Sequence, residues 1–272
     1  MRKYFVACIL VFWTILGFSA QKSEEWKYWD HWDKDSKQVI NFDPWQQFLN
    51  KYLVNIGDQT YVKYDQVSQE DQENLEKAID DYSNLNILSY NSNQQLAYWI
   101  NMYNMLTVDL ILKNKGITSI RQIDPKWFGA STGVWDKPVI RIEGKDITLN
   151  DIEHRILRPI WQDPRIHATL NCASISCPNL STQAFEGNII DKQLYDAFSN
   201  FINSPKGVKV DGTGLLISKI FFWYHADFGS NKSMADYIYN YSKDPKVKEY
   251  VQKTHKINYQ NYNWSLNIYK GD

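Results

Sequence analysis

The chain has 272 residues, a formal net charge of −1 and a mean hydropathy of −0.51. A balance this close to neutral gives no reason to expect a nucleic acid or an anionic membrane surface as partner. The size allows one substantial core, and residues 43–272 are read as a single domain.

Arg2 and Lys3 precede an apolar run from Tyr4 to about Phe18 that passes into Ser19 and Ala20, the layout of a secretory signal peptide over residues 1–20. The run is short for a membrane span of about 20 residues, and no later stretch is apolar for long enough. The processed protein is therefore expected not to be an integral membrane protein, and to be secreted or to reside in the periplasm or cell envelope. Its loss of two cations takes the formal charge from −1 to −3. Cys8 is read as leader filler.

Residues 21–42 are charged and Trp-rich with no sustained apolar period, an extension expected to lie across the domain. Asp43 and Pro44 read as the N-cap and first turn of a helix with Trp45, Phe48, Leu49 and Tyr52 on one face. A second helix is predicted from Gln69 to Tyr82. The clearest helix spans 93–116: Leu96, Trp99, Ile100, Tyr103, Thr107 and Leu110 recur at helical spacing, and Gly116 reads as its C-terminal cap. Much of its remaining surface is also apolar, so it is predicted to run through the interior. Asn101 and Asn104 must then find partners there, as ties to a neighbouring loop or as catalytic amides.

A Trp- and Gly-containing loop, Pro125 to Trp135, precedes an alternating run over 138–148 that reads as a hairpin turning at Glu143-Gly144. Thr148 and Asp151 form a capping pair for a helix carrying Glu153, His154 and Arg155, which Pro159 is predicted to stop. IHATLN, residues 166–171, reads as a strand running into a Ser-rich turn closed by Pro178. A helix over 191–202, a hairpin bending at Asp211-Gly212, an aromatic helical run SKIFFWYHADFG, two short helices and an extended aromatic C-terminus complete the chain. The class is α+β, helices packed around a small, mostly antiparallel sheet.

The candidate chemistry gathers in residues 163–181, where His167, Cys172 and Cys177 lie in one short run. Five blocks in fixed order, LAYWINMYNMLTV (96–108), ITLNDIEHRILRP (147–159), RIHATLNCASISCPNL (165–180), ISKIFFWYHADFG (217–229) and YNWSLN (262–267), resemble the family known as domain of unknown function 547. The resemblance implies a fold and a site but no established reaction. The family's closing block usually carries Asp where this chain has Asn263.

Three chemistries compete. The first is a cysteine-dependent hydrolase or acyltransferase acting on an envelope or extracellular amide or ester. Cys177 is its candidate nucleophile, ending a small-residue turn whose backbone N–H groups would face an oxyanion; His167 or His154 is the base, and Asn101, Asn104 or Glu153 the orienter. A central helix beside a short sheet invites analogy with papain-like and transglutaminase-like folds, although there the cysteine opens the central helix and here that helix carries Asn101. The second is zinc, for which His154, His167, Cys172 and Cys177 are suitable ligand types at spacings that match no familiar motif. Neighbours on a helix, Glu153 and His154 would diverge in direction, and the preferred reading assigns no metal and no cofactor. The third is a non-catalytic binding or scaffold protein that holds a glycan, peptide or envelope component, with Trp99, Trp223 and Trp264 as nominal contributors. His225 reads as a core histidine, and a local Cys172–Cys177 disulfide is the alternative to free thiols. The expected partner is a small-molecule, peptide or glycan substrate.

Overall fold

The computed structural model describes residues 25–124, 133–211, 214–253 and 257–271. The expected leader, Cys8, part of the Trp- and Gly-containing loop and Gly212 of the second hairpin bend lie outside the described residues.

The expected α+β class holds, with one change in arrangement: the strands form three small sheets in place of one. Helix α1 (Asp43–Tyr52) leads into the hairpin β1 (Leu53–Ile56) and β2 (Gln59–Val62). Its cap is Phe42, with Asp43 and Pro44 already inside the first turn. Helix α2 (Gln69–Ser83) starts at Ser68, whose side chain accepts from the Asp71 amide at 3.1 Å.

Helix α3 (Ser92–Lys113) is the axis of the molecule, with Gln94 to Asp109 all buried. It stops three residues before Gly116, which takes φ +86° in the following turn and so does not cap it. The hairpin β3 (Pro138–Ile142) and β4 (Lys145–Thr148) turns where expected, with Glu143 and Gly144 at φ +50° and +71°, the two left-handed residues of a tight hairpin turn.

After β4 the chain departs from expectation. Thr148 and Asp151 cap each other, the Asp151 amide reaching Thr148 Oγ1 at 2.9 Å and the Thr148 amide reaching Asp151 Oδ2 at 3.0 Å. The helix they open is a π-helix, Asp151–Leu157, and it does not end before Pro159 but continues as α4 (Arg158–Trp161). Pro159 has no N–H to offer the carbonyl four residues back, at Arg155. That carbonyl accepts instead from the Trp26 amide at 2.8 Å, while the Arg155 guanidinium lies 4.4 Å over the Trp26 ring. The N-terminal extension thus completes the helix that the proline was expected to terminate. It also enters the core: Trp29 is fully buried against Trp99 with ring centroids 5.0 Å apart, and Ile40 and Phe42 are buried beside it.

Residues Pro164–Ala168 form a 3-10 turn where a strand was expected. Asp163 accepts from the Arg165 amide at 2.9 Å, and Pro164 supplies the preset first-turn φ, so the local signals favour a turn over extension. Helix α5 (Ile190–Ile202), β5 (Val208–Asp211), β6 (Gly214–Ile217), α6 (Ile220–Trp223), α7 (His225–Phe228), α8 (Asn231–Tyr241), α9 (Pro245–Lys253) and β7 (Ile257–Tyr259) follow. Strand β7 pairs parallel with β6, and the tail then bridges Leu266 to Ser174 and Ile268 to Val62.

Buried apolar side chains form two clusters, a larger one centred on α3 and a smaller one around α5, β5, β6 and α6 to α9. No helix among the described residues is long and apolar enough to cross a membrane.

Candidate functional site

A cavity of about 280 Å³ opens where the two clusters meet. Leu170 and Tyr103 line it from the larger cluster, Ile220 and Tyr224 from the smaller. His154, His167, Cys172, Cys177 and Glu153 all reach its wall. Folding therefore brings these five together, whereas neither Asn101 nor Asn104 lines the cavity. The amide of Asn101 donates to the Phe185 carbonyl at 2.8 Å and accepts from the Phe185 amide at 3.0 Å, so it ties α3 to a loop away from the cavity.

Asn104 stands closer to the chemistry. Its Nδ2 donates to the Thr169 carbonyl at 2.9 Å and its Oδ1 accepts from the Asn171 amide at 2.9 Å, clamping the segment between His167 and Cys172 to α3. Asn171 extends the clamp across the cysteine loop, donating to the Pro178 carbonyl at 2.7 Å and accepting from the Ala173 amide at 2.9 Å. Ala173 adopts φ +56°, a left-handed conformation that a β-carbon disfavours, and is held there by these bonds and by the Asn267 amide on its carbonyl at 3.1 Å.

Both cysteines are thiols, with sulfurs 2.9 Å apart. Their environments differ. Cys177 is buried, and burial followed by its neighbouring sulfur pushes its thiol well above the ordinary range. Cys172 is half-buried, with Ser174 Oγ at 3.2 Å and the Tyr262 hydroxyl at 3.4 Å from its sulfur. The Cys177 hydrogen bond lowers the Cys172 thiol against the opposing effect of burial, and Ser174 and Tyr262 add to the lowering. The two effects favour the thiolate on Cys172 over Cys177.

Most backbone amides of the turn already have partners. The amides of Ile175, Ser176 and Cys177 are bonded to the carbonyls of Ser265, Asn263 and Ser174, and that of Ala173 to the Asn171 side chain. Asn263 serves here through its backbone and through Oδ1, which accepts from the Ser265 amide at 3.0 Å, a task for which Asn and Asp are equivalent.

His167 is buried, stacked on Tyr224 with centroids 4.0 Å apart, and its Nε2 lies 2.7 Å from Asp227 Oδ2. The carboxylate fixes the proton on Nε2 and leaves Nδ1 as the basic nitrogen. Nδ1 has no hydrogen-bond partner and sits 3.7 Å from Glu153 Oε1. Asp227 is held in turn by both arms of Arg158, Nε at 2.6 Å and Nη2 at 2.9 Å. Burial pushes Asp227 up, but His167 and Arg158 together bring it below the usual carboxylate range. Burial likewise acts against Glu153, yet His154, His167 and Tyr224 bring it down to about 2.

His154 differs from His167. Its Nδ1 lies 3.0 Å from Arg158 Nη1, and because guanidinium only donates, the neutral ring carries its proton on Nε2. Burial and the adjacent Arg158 charge lower its pKa, opposed by Glu153. Glu153 and His154 reach one cavity together although they are sequence neighbours, because the wider π-turn places them differently from an α-helix. Within the described residues no group of three or more His, Cys, Asp or Glu side chains is arranged to hold a metal ion. The nitrogens His154 Nδ1 and His167 Nε2 are already committed to Arg158 and Asp227.

Trp135, Trp223, Tyr262 and Trp264 form an aromatic wall, with Tyr262 and Trp264 centroids 4.6 Å apart and Trp223 4.8 Å from Tyr262. Trp223 and Trp264 thus stand where a ligand would pass, whereas Trp99 is core. His225 is only half-buried and bonded to Asn231 Oδ1 at 2.9 Å, outside the core expected for it. Asp227 and Tyr262 were not anticipated. The available signal for Asp227 was an acidic residue inside the aromatic run FFWYHADF.

The model of the family described as "Protein of unknown function, DUF547" matches residues 87–202, and the chain resembles that family. The matched stretch carries Asn104, Glu153, His154, His167 and both cysteines, whereas Asp227, Trp223 and Tyr262 lie beyond it. No curated protein and no solved structure matches the chain.

Proposed function

We propose that this protein is an exported thiol-dependent hydrolase or acyltransferase that uses Cys172 on a small acyl ester or amide. One observation carries the reading: a half-buried thiol whose hydrogen bonds lower its pKa shares a cavity with an imidazole whose far nitrogen is held by a carboxylate. The export part of the proposal is supported by the basic pair and apolar run of residues 1–20.

Cys172 needs little help to ionise, because Cys177, Ser174 and Tyr262 already stabilise the thiolate. The thiolate adds to the acyl carbon, and the developing oxyanion is met by the Nε2–H of His154, which Arg158 holds in the donor tautomer. Nδ1 of His167 takes the proton that Cys172 loses and passes it to the leaving amine or alcohol, its imidazolium balanced by Asp227 and Glu153. Water, or an acceptor nucleophile in the transferase case, then releases the acyl group with His167 as base. The aromatic wall gives a flat surface against which a sugar or aromatic ring of the substrate stacks, which is where the binding-protein reading draws its support.

The test is a panel of activated esters, small amides and peptidoglycan fragments with stopped-flow detection of an acyl-enzyme burst. Wild-type protein is expected to show a burst that Cys172→Ser abolishes. Asp227→Asn is expected to slow turnover about 10²-fold or more while Cys172 still alkylates. Turnover that survives Cys172→Ser would end the proposal.

A further inference from the structure

We propose that Cys172 and Cys177 also form a dithiol centre that exchanges with low-molecular-weight disulfides: Cys172 attacks, and Cys177 resolves. It shares the nucleophile with the hydrolytic reading, in which Cys177 only supports the Cys172 thiolate and forms no bond.

The asymmetry of the pair carries the inference. An exchange centre needs one sulfur that an incoming disulfide can reach and ionises readily, and a second that is shielded, protonated at rest and within bonding reach of the first. Both cysteines line the cavity, but Cys172 is half-buried whereas Cys177 is 4% exposed, with the sulfurs 2.9 Å apart. Two hydroxyls, Ser174 Oγ at 3.2 Å and Tyr262 at 3.4 Å, neighbour the Cys172 sulfur. The backbone is shaped for both stages. The amide of Cys172 points at Cys177 Sγ at 2.9 Å, a donor ready for that sulfur when it becomes the thiolate. The left-handed Ala173 and the Ser174 to Cys177 turn, closed by a backbone bond of 3.1 Å, hold the two cysteines face to face across four intervening residues. The cavity volume of about 280 Å³ favours a small disulfide over a folded protein segment.

The steps balance. The Cys172 thiolate attacks one sulfur of R–S–S–R, forming the mixed disulfide Cys172–S–S–R and expelling RS⁻. With the charge on Cys172 gone, the neighbouring sulfur no longer opposes ionisation of Cys177 and burial alone remains; Cys177 gives its proton to the expelled thiolate and attacks Cys172 Sγ. The products are the Cys172–Cys177 disulfide and a second RS⁻. The protein dithiol loses two electrons and the substrate disulfide gains them; a small dithiol of the same class returns the pair to its reduced state.

The experiment uses the reduced full chain in a Cys8→Ser background, treated with excess bis(hydroxyethyl) disulfide, quenched in acid and weighed by mass spectrometry. The expected product is protein lighter by two hydrogens with no adduct, and both halves of the reagent appear as free thiol. Cys177→Ser and Cys177→Ala are expected to stop at a stable adduct on Cys172 with only one half released. A persistent adduct on the parent protein overturns the proposal without needing any variant to fold. A first adduct at Cys177 in place of Cys172 overturns it as well. Loss of ester turnover in Cys172→Ser bears on the hydrolytic reading alone, and resolution by Cys177 bears on this one alone, so each can fail separately.

Discussion

At the scale of single residues, the site is decided by what each titratable group already holds. Cys172 and Cys177 are the same side chain in unlike surroundings: hydrogen bonds with Cys177, Ser174 and Tyr262 lower the first, whereas burial raises the second. The iodoacetamide labelling rate of Cys172 should therefore titrate below the ordinary thiol value of about 8.5. Replacing Cys177 with Ala removes the largest contributor, so the midpoint should move up; an unchanged midpoint would assign the lowering to other groups. His154 and His167 divide along similar lines. Arg158 makes the first a donor toward the cavity, and Asp227 leaves the second with a free basic nitrogen.

At the scale of elements, α3 acts less as a carrier of catalytic groups than as a rack. Its buried amides each bind backbone of another segment: Gln94 the Ile40 amide, Asn101 the Phe185 peptide, Asn104 the Thr169 to Asn171 stretch. Asn104→Leu keeps the volume but strands a buried N–H and a buried carbonyl, for an expected loss of about 2 kcal/mol in urea unfolding. It should also loosen Cys172 labelling control more than Asn101→Leu does, because only Asn104 holds the segment next to the cysteine. The π-helix Asp151–Leu157 has a different role. It turns Glu153 and His154 into one cavity, and its proline-freed carbonyl is completed by Trp26. Helix α2 and the 138–148 hairpin were legible because their period and turn residues act locally. The IHATLN segment was not: its alternation suggested a strand, but the Asp163 cap and Pro164 set a 3-10 turn before any neighbouring strand could pair with it.

At the scale of the whole molecule, the N-terminal segment and the C-terminal tail close the structure around the site. Trp29 fills the core against Trp99, so Trp29→Ala is expected to cost about 3–5 kcal/mol, measured by thermal or denaturant unfolding, where a segment merely lying on the surface would cost almost nothing. The buried carboxylates set an acid limit. Glu153, and Asp227 in the same direction, hold folded-state pKa values below their unfolded ones, so their contribution is complete above pH 4.5 and is lost as pH falls toward about 2. Unfolding curves between pH 6 and pH 2.5 should show that loss, and Glu153→Gln should flatten part of it.

The sequence by itself determined the elements whose signals are local, the α+β class, and the stretch in which the reactive sulfur and imidazole would be found. Periodicity, caps and turn residues act over a few positions, so they can be read without a fold. Only the tertiary structure decided that Cys177 is more deeply buried than Cys172, that Asp227 arrives from 60 residues away to hold His167, and that Asn101 is spent elsewhere. Those outcomes depend on burial and on hydrogen-bond partners that are distant in the chain, and neither quantity exists until the two apolar clusters have packed against each other.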